Sequence, residues 1–109
     1  MRTLSIPIPD GCEAYESDIW RFVVLMLDKL NRNIHKGHWD NVDVTQAFDL
    51  LIDEVEELRA AIKEEDGDSV KLEAADVANF ALIIASVLDR RGDGYLGRSQ
   101  PDLFNRISK

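Results

Sequence analysis

Apolar residues recur along most of this chain at steps of three and four, the spacing that lines up one face of an α-helix. The first stripe is Tyr15, Ile19, Phe22, Met26 and Leu30, widened by Val23 and Leu27, with Trp20 beside it as a further core candidate. It predicts a helix over roughly residues 11–33, opened by the capping-box pair Asp10 and Glu13 or, in a later start, by Ser17. Ala47, Leu51, Val55, Leu58 and Ile62 predict a second helix, from a cap at Asp43 to about Glu65, with a stop at Asp66-Gly67-Asp68. A third, capped by Asp68 or Ser69, carries Leu72, Asp76, Phe80, Ile83 and Val87 on one stripe and ends near Arg91 and Gly92.

This third helix is also apolar elsewhere, at Val77, Ala81, Ile84 and Leu88, so it needs cover on more than one side. The expected fold is therefore all-α: a helical bundle built on an antiparallel hairpin of helices two and three, completed by oligomerisation as a homodimer or homotetramer. Pro7 and Pro9 disfavour helix in the first ten residues, which read as an extended arm. Past Gly92, Pro101 within Ser99–Asp102 offers a start for a short last helix bearing Leu103, Phe104 and Ile107. The 109 residues make one domain by length, with the core at about 11–91 and a C-terminal segment at 92–109.

Charge narrows the partners. A formal net charge of −8 argues against a surface that wraps a nucleic-acid backbone, which is held by Lys and Arg. A small anionic substrate would need metal ions or local basic residues. Cys12 is the single cysteine, so no intrachain disulfide forms. The N-terminal stretch lacks the pattern of a signal peptide, and the most apolar run, Val77 to Leu88, is too short for a bilayer. A cytoplasmic protein with no membrane partner is the expectation.

The candidate chemistry is acidic. Glu54 and Glu57 on the second helix, and Glu73 and Asp76 on the third, are each spaced i, i+3, which puts both carboxylates of a pair on one helix face. Asp76 lies inside an apolar stripe, where a carboxylate needs an ion partner or a metal. With the turn centred on Gly67, Glu57 and Asp76 come to nearly the same height and the four groups spread along roughly 10 Å of axis. Hard carboxylate oxygens in such an array suit magnesium.

The pattern Glu54-Val55-Glu56-Glu57, a gap of 15 residues, then Glu73-Ala74-Ala75-Asp76 resembles the signature of the MazG-like all-α nucleoside triphosphate pyrophosphohydrolases. The flanking text, LLIDEVEELRAAI and EAADVANFAL, is also similar to that family, and the resemblance covers about residues 15–91. It implies hydrolysis of a nucleoside triphosphate between the α and β phosphates, giving monophosphate and pyrophosphate, in nucleotide-pool housecleaning. It also implies that Glu54, Glu57, Glu73 and Asp76 hold Mg2+, with Mn2+ as a substitute, and that Glu54 or Glu57 orients or deprotonates the attacking water. The family often opens its motif with two adjacent glutamates; here Asp53 precedes Glu54, as a candidate to reach the metal directly or through water.

Asn79, one turn beyond Asp76, is a candidate for hydrogen bonding to sugar or base, and equally for a contact between helices. Trp39 is a candidate for base stacking. Lys36, His38 and Arg91 are candidates for phosphate or base, with Arg91 also explained as a helix-end cation. A carboxylate-bridged di-iron bundle is disfavoured, because neither His35 nor His38 stands three residues after a glutamate. The competing reading is a non-catalytic helical interaction or regulatory module whose acidic residues are surface charge.

Overall fold

The computed structural model describes residues 1–37, 39 and 42–92, and among them the chain is helical with no strand. Helix α1 spans Glu16–Arg32, α2 spans Val44–Lys63 and α3 spans Gly67–Arg91, with 3-10 turns at Glu13–Tyr15 and Ile34–Lys36. No helix of the described residues is long and apolar enough to cross a membrane. The short helix expected near Pro101 lies outside the described residues.

Helix α1 begins differently from expectation. Neither Asp10 nor Ser17 caps it. The chain enters through the 3-10 turn, where the Tyr15 N–H donates to the Cys12 carbonyl at 3.0 Å, and no side chain caps either element. At the other end Asn33 Nδ2 donates to the Lys29 carbonyl at 3.0 Å, satisfying one of the carbonyls a helix end leaves open.

Asp43 caps α2 as expected, its Oδ1 accepting the Thr45 N–H at 2.7 Å. The following turn departs from the sequence reading. Helix α3 is capped by Asp66, not by Asp68 or Ser69; Asp66 accepts the Ser69 N–H at 3.3 Å and the Ser69 hydroxyl at 2.9 Å. Those two bonds with Ser69 lower the pKa of the fully exposed Asp66. Gly67 is thus the first residue of α3, and the left-handed position falls on Glu65, at φ 58°. Left-handed geometry closes a helix C-terminus well, and here a glutamate adopts it although glycine is the residue it suits best.

Helix α3 is the central element, packing against α2 over the larger interface and against α1 over a smaller one. Its core contacts are made by small residues. Val44, Ala47, Ala61, Ala75 and Val87 are buried, and the largest fully buried side chain among the described residues is a valine. Small side chains let helix axes approach closely, which brings side chains of neighbouring helices within reach of each other.

Several larger apolar residues are left outside, whereas Phe22, Met26, Leu30, Leu58, Leu72 and Phe80 are half-buried. Tyr15, Ile19, Trp20 and Leu27 are exposed, although the first stripe predicts them in the core, and Ile62 on α2 is exposed as well. Trp20 retains 67% of its accessible surface. The bonded contacts of α1 with α3 fall at Met26 and Lys29, in the second half of α1, while Ile19 and Trp20 in its first half are exposed.

Candidate metal centre

Two helices supply the acidic group. Glu54 and Glu57 lie one turn apart on α2, on the face that also carries the buried Ala47 and Ala61, and Glu73 projects from the second turn of α3. One carboxylate oxygen from each of the three lies within 4.8 Å of the others. Glu54 and Glu73 are half-buried, and Glu57 is open to solvent.

The electrostatics follow from this convergence. Burial pushes the Glu54 carboxyl up to about 8, assisted by hydrogen bonding with Glu57 and by the charges of Asp76 and Glu57. Glu73 is raised too, first by burial and then by the charges of Glu57 and Asp76, while a hydrogen bond from Glu54 works in the opposite direction. Glu54 Oε2 and Glu73 Oε2 are inaccessible to water and have no donor facing them. Their neighbours are themselves carboxylates, so a contact becomes a hydrogen bond only where one member carries a proton. The three carboxylates could hold a hard divalent ion.

Asp76 stands outside the three-carboxylate group. Its Oδ2 pairs with Lys29 Nζ of α1 at 3.2 Å, and both side chains are largely buried. This pair explains how a carboxylate sits within the apolar stripe of α3, and its charge still reaches Glu54 and Glu73. Lys29 is the residue that sequence reading missed. The signal was present: Phe22, Met26 and Lys29 share helical spacing, so a cation interrupts the stripe of α1 just as an anion interrupts that of α3.

The other candidates are spread more widely. Asp53 is exposed beside the site. Asn79 is 6% exposed and its Nδ2 donates to the Met26 carbonyl of α1 at 3.1 Å, while its Oδ1 is buried without a partner. Trp39 is half-buried, and its indole N–H donates to the Ser86 hydroxyl at 3.1 Å, about 15 Å along α3 from Asp76. Lys36 is exposed in the 3-10 turn, Arg91 is half-buried at the end of α3, and His38 lies outside the described residues.

Comparison with protein-family models, with curated proteins and with solved structures found no match to this chain.

Proposed function

We propose that the chain is a magnesium-dependent nucleoside triphosphate pyrophosphohydrolase of MazG-like type, releasing a monophosphate and pyrophosphate. The observation that carries this reading is the meeting of Glu54, Glu57 and Glu73 from two helices, with two buried oxygens lacking any donor. Reading α2 and α3 as an antiparallel hairpin accounts for the meeting. Glu57 and Glu73 are equidistant in sequence from Glu65, the left-handed residue of the turn, and so are Glu54 and Asp76. Each pair then shares a height on the hairpin.

Glu54, Glu57 and Glu73 would hold the magnesium, with Asp76 as a fourth donor once freed from Lys29. Bound there, the ion would neutralise phosphate charge and lower the pKa of a water molecule. Glu57 is the exposed member of the group, so it is the carboxylate placed to orient that water and accept its proton. Glu57→Gln keeps the shape and removes the charge. It should lower turnover about 100-fold or more with an unchanged helical circular dichroism spectrum; undiminished turnover would take Glu57 out of the mechanism.

The reading also includes self-association in the cytoplasm, supported by Trp20, Val24 and Leu27, an exposed apolar row on α1. That same row favours the second reading, a non-catalytic interaction module. Product analysis separates the two: purified protein is incubated with a panel of ribo- and deoxyribonucleoside triphosphates, with and without magnesium. Magnesium-dependent monophosphate plus pyrophosphate is the expected result. No turnover, together with no thermal shift from millimolar magnesium, would favour the interaction module.

A further inference from the structure

Lys29 and Asp76 form a cross-helix ion pair at the edge of the acidic group, at 3.2 Å and with side chains retaining 20% and 17% of their accessible surface. Arg32–Asp28 and Arg59–Glu56 differ from it in kind. Each of those pairs lies within one helix, on side chains that are more than 40% exposed. Pairs of that sort contribute little, whereas one held away from solvent interacts strongly and is costly to break.

The setting of Lys29 is also fixed. One turn before it on α1, the Met26 carbonyl accepts from the nine-tenths-buried Asn79, which lies one turn after Asp76 on α3. Two polar contacts at matching i, i+3 steps therefore set how α1 lies on α3. They hold the ammonium at Asp76, whose charge reaches both Glu54 and Glu73.

We propose that Lys29 is the internal counter-cation of the acidic centre, occupying Asp76 in the metal-free protein and competing there with a divalent ion. The inference rests on the metal centre proposed above and adds to it a positioning residue outside the acidic motif. Its physical basis is simple. A divalent ion drawing on Asp76 must displace the ammonium, and an ion bound to the three glutamates alone must tolerate a like charge nearby. Either way Lys29 weakens metal binding, while in the metal-free protein it offsets the repulsion among the carboxylates.

The test is calorimetric titration of the full-length, nucleotide-free protein with Mn2+, comparing wild type with Lys29→Gln. Glutamine can still donate a hydrogen bond to Asp76 but carries no charge. Lys29→Gln should bind Mn2+ about fivefold or more tightly than wild type, a gain that a merely damaged variant would not show. Equal or weaker binding by a variant with wild-type circular dichroism would overturn the inference. Should Lys29→Gln not fold, Lys29→Arg serves, because its planar fork grips a carboxylate at two points. Weaker Mn2+ binding by Lys29→Arg supports competition at Asp76, and unchanged or tighter binding overturns it. Absence of Mn2+ binding by the wild type would remove the metal centre and this inference together; wild-type binding indifferent to residue 29 removes this inference alone.

Discussion

Burial, assisted by two glutamates and an aspartate nearby, raises the pKa of the Glu54 carboxyl above that of an unfolded chain. The folded pKa is about 8 against 4.5 for an unperturbed glutamate, so between those values the native state binds the extra proton. The stabilisation from this group is complete below about pH 4.5 and is lost as pH rises through about 8. Metal-free protein should accordingly melt at a lower temperature at pH 8 than at pH 5.5, with Glu54→Gln flattening that dependence. In the proposed metal centre magnesium binds the deprotonated group, so its thermal shift should grow over the same interval. A melting temperature independent of pH across that range would show that Glu54 is ionised throughout. At this scale the sequence made Glu54, Glu57 and Glu73 visible through their i, i+3 spacing. It did not pair Asp76 with Lys29, because that contact joins residues of different helices.

Among the elements, the connection from α2 to α3 shows most clearly how local chemistry sets the geometry of the site. The only glycine in the connecting stretch, Gly67, does not take the left-handed conformation; Glu65 does. Gly67 opens α3, and a Cβ built there would meet nothing within 4 Å. Gly67→Ala should thus stabilise the protein by about 0.4–1 kcal/mol, by restricting the unfolded chain and favouring the helix. Urea denaturation is the measurement, and destabilisation would show that this residue leaves helical geometry in solution. The Asp66-Gly67-Asp68 stop signal in the sequence centres the turn on Gly67. Asp66 overrides that signal by taking both donors of Ser69, which starts α3 earlier and moves the turn centre to Glu65. On the antiparallel hairpin proposed above, the shift replaces the expected Glu57–Asp76 facing pair with Glu57 opposite Glu73 and Glu54 opposite Asp76.

For the whole molecule, the question is what covers the apolar surface that three helices leave open. Trp20, Val24 and Leu27 follow one another at helical spacing on α1, and Phe48, Leu50, Ile52 and Ile62 are exposed on α2. Burying 100 Å2 of such surface contributes about 2.5 kcal/mol, so the proposed association must cover several hundred Å2 to offset its cost of roughly 4–15 kcal/mol. Light scattering of the eluting peak in size-exclusion chromatography should give at least a dimer. Trp20→Glu should shift it toward the monomer. A monomeric wild type at tens of micromolar would show that these residues remain solvated.

The sequence by itself determined the helices, the cap at Asp43 and the spacing that places two carboxylates on one face of α2. These depend on residues within a few positions of one another, and short-range chemistry decides them. Only the tertiary structure decided that Glu73 joins Glu54 and Glu57, that Lys29 holds Asp76, and that Trp20 lies outside the core of the chain. Those outcomes depend on how closely α1 and α2 approach α3. Small buried residues such as Ala47, Ala61 and Ala75 set that approach, and the contacts they permit join residues far apart in sequence.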